Sequence, residues 1–164
     1  MAVHNEAVRV PAGRSPRFLD LTQEVEAVLA RSGIRDGVAV AFSQHTTCSV
    51  LIQEASDDTD YWGTEFLMQD LVTALEKIIP TCRTEGQFQH PGPKHVAAGR
   101  ARQEEASWSL NTDAHLRSVL LRRSETVPVV EGRLVLGEFG RIYFADFDHT
   151  RARERVMHVQ ILGE

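Results

Sequence analysis

The stretch RIYFADFDHTRARERVMHVQILG, residues 141–163, decides the fold. Its two halves, RIYFADFD (141–148) and RVMHVQILG (155–163), alternate along the chain with the period of two that marks a β-strand. They read as a pair of strands. Immediately before them, SETVPVV (124–130) and RLVLG (133–137) flank Glu131-Gly132, which is a hairpin pattern. The C-terminal part of the chain is therefore read as four strands in succession.

Working back towards the N-terminus, VAVAFS (38–43) and TCSVLIQ (47–53) are nearly continuous runs of small or β-branched residues. Such runs suit strands covered on both faces. Only Gln44, His45 and Thr46 separate them, so a hairpin turn, or a bulge that re-aims one side chain, is expected there. Ala2 to Val10 alternates weakly, as an edge strand would, and Ser15-Pro16 breaks the chain. Phe18 to Arg31 carries Phe18, Leu21, Val25, Val28 and Leu29 at helical spacing, with Asp20 as a candidate cap and Gly33 as the stop.

A second helix is expected after a cap at Ser56 or Asp57. Trp62, Phe66, Leu67, Leu71, Leu75 and Ile78 form its stripe, and Pro80 ends it. A third, short helix covers Asp113 to Arg122, with Leu116, Val119 and Leu120 as its apolar face. Residues 81–107 are polar and rich in Gly, Pro and His, and read as a long functional loop or insertion. The order of elements predicts one compact α+β domain spanning 1–164, with helices packed on largely antiparallel β-sheets.

Composition narrows the function. The chain has 164 residues, is 42% hydrophobic and carries a formal charge of −5. One sizeable core is expected at this length. An acidic chain without a basic stripe predicts no nucleic-acid partner. No apolar segment is long enough to predict a membrane span. Cys48 and Cys82 form no CxxC pair and predict no disulfide scaffold, and MAVHNEAVRV (1–10), which has no long apolar segment, predicts a cytoplasmic location. Cys48 reads as a small strand residue, since no base sits beside it in sequence.

None of the seven histidines forms the i, i+4 pair of a zincin helix, and neither a phosphate-binding P-loop nor a dinucleotide fingerprint is present. Asp113 and His115 stand two apart where a helix begins. Imidazole and carboxylate are sound ligands for a divalent transition metal, and His45 or His90 could supply a further donor. On spacing alone Asp113 reads first as a cap of the helix it opens. Asp57, Asp58 and Asp60 could grip a metal-bound diphosphate, or could complement the macrodipole of the helix that follows. Asp146 and Asp148 share one strand face and read first as a solvated face. Lys94, Arg117 and Arg141 are candidate phosphate-binding cations. Arg141 follows Gly137 and Gly140, which would allow the backbone to approach a ligand closely.

Three segments taken together resemble the YjbQ family: HTTCSVLIQE (45–54), NTDAHLRSVLL (111–121) and TVPVVEGRLVLGEFGRIYFADFD (126–148). Members of that family are often labelled secondary thiamine-phosphate synthases. The resemblance implies an α+β fold that assembles as a homotrimer, with a histidine-rich site near subunit boundaries that holds a metal in some members. By position it selects His45, Glu54, Asp57, His90, Asn111, Asp113 and His115. It implies His45, His90, Asp113 and His115 as ligands of a divalent metal, zinc or magnesium. On that basis His45, Glu54 and His115 are read as catalytic groups and Asn111 as a substrate contact, while Arg117 or Arg141, the phosphate-binding candidates above, would steady the phosphate oxygens of a small substrate.

This sequence also departs from the family pattern. Asp113 replaces the first histidine of an Asn-x-His-x-His segment, Gln53 stands where asparagine is usual, and Glu138-Phe139-Gly140 replaces a Thr-Trp-Gln step. The expected reaction joins a pyrimidine diphosphate to a thiazole phosphate and expels pyrophosphate. The alternatives are a metal-assisted hydrolase with Glu54 as base, and a non-enzymatic trimer that binds a small ligand or metal.

Overall fold

Strand β8 (Arg155–Gly163) buries Arg155, Met157, Val159 and Ile161, while the residues between them are half-buried. Strand β7 (Gly140–Asp146) instead buries every residue from Ile142 onward. That difference organises the molecule: one strand covers a single core face, and the other is covered on both. In the computed structural model, which describes residues 1–13 and 15–164, the two strands lie in different sheets. β8 sits between β1 (Ala2–Val10) and β3 (Gly37–Ser43) in a sheet of order β1-β8-β3-β5-β6, with β5 at Ser124–Val130 and β6 at Arg133–Leu134. β7 sits between β2 (Arg17–Asp20) and β4 (Cys48–Glu54) in a three-stranded sheet. Every strand pair is antiparallel.

The expected pairing of 141–148 with 155–163 is thus corrected, and so is a hairpin between 38–43 and 47–53. In both cases the chain leaves one sheet and enters the other. The hairpin at Glu131-Gly132 does form, through Val129↔Leu134 and Val130↔Arg133.

Two apolar clusters result. One lies between the sheets and takes Ile142 and Phe144 of β7, Val50 of β4, Met157, Val159 and Ile161 of β8, and Val25, Val28 and Leu29 of α1 (Thr22–Ser32). The other lies on the outer face of the small sheet. It takes Tyr143, Ala145 and Leu51 with Phe147, Met68 and Leu75 of α2 (Phe66–Ile78), and Ala114 of α4 (Thr112–Leu121). Truncating a fully buried aromatic such as Phe144 to alanine costs about 3–5 kcal/mol in such a setting.

Phe18 and Leu19 belong to β2, not to the first helix. That helix starts at Thr22, whose N–H donates to Asp20 Oδ1 (2.9 Å) and whose Oγ1 accepts from Ile142 N–H (2.8 Å). Gly33 ends it in the left-handed conformation (φ 67°), as expected. α2 begins at Phe66, after an irregular segment, so Ser56 and Asp57 do not cap it. The 81–107 region holds a helix, α3 (Pro93–Ala101), and is followed into a 3-10 turn at Ala106–Ser109. α4 turns Asp113, Ala114, Arg117 and Ser118 inward, leaving Leu116, Val119 and Leu120 exposed, the reverse of the expected face. Among the described residues, no helix is long and apolar enough to cross a membrane.

Candidate functional site

Two of the crossings between the sheets, β3 to β4 and β7 to β8, lie at one end of the sandwich. Residues 44–47 lead from β3 to β4, and residues 147–154 lead from β7 to β8. Register places them side by side, because Cys48 pairs with Asp146 in one sheet and Ser43 with Met157 in the other. Phe147 N–H donates to Thr47 O (3.1 Å). Val156 N–H donates to His45 Nε2 (2.9 Å). An acceptor Nε2 leaves Nδ1 as the protonated nitrogen of the neutral ring.

The second crossing carries RARER (151–155), with three arginines at every second position. Arg155 forks onto both oxygens of Asp146 (2.9 Å each) and also donates to Thr47 Oγ1 (3.3 Å). Arg153 pairs with Asp148, which also lies 3.5 Å from Arg155. Asp146 and Asp148 are therefore fully buried counter-ions and not a solvated face. Among the described residues, Arg151 has no carboxylate at salt-bridge distance. Its guanidinium lies 4.2 Å from the centre of the Trp108 ring, and its Nε is buried without a hydrogen-bond partner. A desolvated cation on an indole face is favoured by the ring quadrupole.

The remaining walls come from α4 and the region before it. Ser118 Oγ donates to Cys48 O (2.6 Å), which fixes α4 on β4 and brings its first turn over Thr46. Thr112 Oγ1 donates to His90 O (2.6 Å), tying the 81–107 region to the same turn. The His90 ring packs edge to face on His95 (4.5 Å between centres) and on His115 (5.9 Å).

Together these segments enclose a cavity of about 330 Å³, lined by His45, His95, Arg100, Trp108, His115 and Arg151 among others. Burial pushes the His45, His90 and His115 rings below the ordinary imidazole value, and Arg155 and Arg153 push His45 in the same direction. These three imidazoles are therefore neutral near pH 7, and the positive character of the cavity comes from arginine. Burial, with Asp146 nearby, raises the Cys48 thiol to about 12, so it is an inert core thiol.

The structure brings His45, Asn111 and His115 to this cavity, with His90 packed behind His115. It places the other expected residues elsewhere. Glu54 and Arg141 lie at the far end of the small sheet, where Glu54 pairs with Gly140 and Arg141 donates to its own turn carbonyls. Arg117 is buried, donating to Ile79 O (2.7 Å) and to Glu76 (2.6 Å), and so anchors α4 to the end of α2. Asp113 is fully buried and turned towards His149 and Arg117, neither capping its helix nor meeting His45. Asp57 and Asp58 lie in the segment before α2, where Asp60 caps a turn by accepting from Trp62 N–H and Thr64 N–H (2.8 Å each).

Asp113 is thus turned away and His45 Nε2 is occupied by a backbone amide. Among the described residues, no group of three or more His, Cys, Asp or Glu side chains is placed to hold a metal ion. The four ligands expected from the sequence are therefore not gathered as one set, and the nearest grouping of imidazoles is His90, whose Nε2 is buried without a partner, with His95 and His115. Sequence reasoning missed His95, Arg100, Trp108 and Arg151, although the alternation of arginine through 151–155 was a readable signal.

The fold and site define a class: a small α+β protein in which two antiparallel sheets, joined by adjacent crossings, frame an arginine- and imidazole-lined cavity. The family model described as UPF0047 protein YjbQ-like matches residues 6–164. A UPF0047 protein of Methanothermobacter thermautotrophicus is 31% identical over 164 residues, covering 100% of this chain and 95% of that one. The UPF0047 protein YugU of Bacillus subtilis is 27% identical, covering 96% of this chain and 98% of its own. Among solved structures, a YbjQ-like protein of unknown function from Sulfolobus solfataricus superposes with a TM-score of 0.76 at 26% identity, covering 99% of both chains. An uncharacterized conserved protein from Clostridium acetobutylicum gives 0.71 at 27% identity, covering 96% of this chain and 99% of that one. The chain belongs to the YjbQ (UPF0047) family.

Proposed function

We propose that the protein is an enzyme acting on a small phosphorylated molecule bound in the cavity at the sheet crossings. One observation carries this reading: Arg151 lies on the Trp108 ring inside that cavity with a buried, unpartnered Nε. A desolvated donor of this kind favours an anion, and a planar guanidinium suits phosphate oxygens. Arg100, on α3, adds a second cation to the same wall. The neutral His115 ring can take or return a proton close to the bound group.

For the transfer chemistry of a secondary thiamine-phosphate synthase, arginines already in place would stabilise the charge that builds on the departing diphosphate. The first assay is accordingly turnover of the pyrimidine diphosphate with the thiazole phosphate, followed by pyrophosphate release. Activity that falls in Arg100→Ala and Arg151→Ala, with an unchanged circular dichroism spectrum, supports the reading. No product, together with no calorimetric binding of either phosphate ester, refutes it.

A homotrimer remains part of the proposal. Leu116, Val119 and Leu120 form an exposed apolar stripe on α4, a surface suited to a second copy of the chain. Light scattering at three times the chain mass would support this, and a monomer mass would remove it.

A further inference from the structure

The β7–β8 crossing also carries His149, which does not line the cavity described above. Its Nε2 lies 3.3 Å from Oδ1 of Asp113, in the first turn of α4. That carboxylate is fully buried, and its Oδ2 has no hydrogen-bond partner but lies 3.8 Å from Arg117 Nη1. A carboxylate bonded to one ring nitrogen fixes the ring orientation and frees the other nitrogen for a ligand. The His149 side chain is 26% exposed.

His149 opens on a second cavity, of about 680 Å³, also lined by Gly13, Ser15, Asp148, Thr150 and Arg151. Two of the lining residues also carry a buried polar atom without a partner, Ser15 Oγ and Arg151 Nε. The one carboxylate of the lining, Asp148, is already held by Thr150 and Arg153 and lies 3.5 Å from Arg155. Apart from the Ser15 and Thr150 hydroxyls, which can donate or accept, the side chains this cavity offers a ligand are the protonated His149 ring and the Arg151 guanidinium, and two cations together select an anion.

We propose that the second cavity is an anion site, in which the His149 ring, oriented by Asp113, and the Arg151 guanidinium take one phosphate or carboxylate group of a small ligand. This site does not depend on the reading of the first cavity, although Arg151 lines both. The charged groups facing His149 among the described residues are Asp113 and Arg117 on α4, and Asp148 and Arg151 on its own crossing. The Asp113 hydrogen bond holds the His149 ring above the ordinary imidazole value, against burial and the Arg117 charge. The ring therefore keeps its proton to a higher pH than a free imidazole, and the site weakens as the pH rises and that proton is lost.

The test is a titration of the full chain, labelled uniformly on nitrogen, with inorganic phosphate, followed by NMR of the histidine rings and the backbone amides. The expected result is a saturable shift of the His149 signals and a rise of its titration midpoint on the order of one unit. In His149→Gln the shift of the remaining second-cavity signals is lost while the His115 response stays. In Arg100→Ala the His149 response stays. His149 signals that do not move with phosphate, or that move only as part of the His115 response lost in Arg100→Ala, overturn the proposal. Movement of His149 without any response at His115 upholds this site and counts instead against the phosphate-binding role of the first cavity.

Discussion

Replacing Arg155 with methionine tests how the crossing is held together. Arg155 is 3% exposed, its fork meets Asp146 at 2.9 Å on each oxygen, and it reaches Asp148 at 3.5 Å. Methionine keeps much of the apolar stem but leaves the buried Asp146 carboxylate with neutral donors only, the Asp148 N–H (3.1 Å) and the Cys48 thiol (3.5 Å). Removing one partner of a buried ion pair costs about 3–5 kcal/mol, mostly through the charge left without compensation. For a domain of this size each kcal/mol lowers Tm by roughly 2–4 °C, so a fall of about 6–20 °C is expected.

The double variant Arg155→Met/Asp146→Asn removes both charges and retains an acceptor for the Asp148 N–H. It should recover most of the loss, giving a coupling energy towards the upper end of about 0.5–3 kcal/mol. Urea unfolding of the four proteins completes the cycle. A single variant that loses less than about 1 kcal/mol, or a double variant that loses the sum of both singles, would show that the fork does not carry the crossing.

His45→Ala has a structural as well as a functional consequence. Val156 N–H loses the ring nitrogen it donates to, so stability should fall by about 1–3 kcal/mol in urea melts, together with any activity. An unchanged melt would mean that water replaces the ring nitrogen. Glu76 gives an acid-side signature. Burial pushes its carboxyl up, but hydrogen bonds from Thr81 N–H, Thr81 Oγ1 and Arg117 outweigh this and bring it from 4.5 to about 2. A value lowered on folding contributes stability in full above the unfolded value and loses it as the pH falls through about 2. Urea midpoints measured across that interval should therefore decline less steeply in Glu76→Gln than in the parent. Equal slopes would place the acid sensitivity elsewhere.

The strands were legible because their side chains obey short-range rules. The alternation expected of β7 and β8 holds in the burial of β8, whereas β7 is buried at every residue from Ile142 to Asp146. Partner choice was not legible, since adjacency in sequence favours β7 beside β8 while burial on both faces of β7 demands a second layer on each side. α3 escaped notice because its helix buries none of its residues, and a helix with no buried stripe leaves no periodic trace. Only Pro93 at its start signalled it.

The site divides along the same line. His45, Asn111 and His115 could be placed from local motifs and do meet at the cavity. Arg117 and Asp113 could not, because what sets their role is a partner 41 or 36 residues away, Glu76 or His149. A buried charge takes its meaning from the charge opposite it, and that pairing is a property of the fold. The arginines of 151–155 show the converse. Their spacing places them together, yet only the coordinates separate Arg153 and Arg155, spent on Asp148 and Asp146, from Arg151, which is left for a ligand.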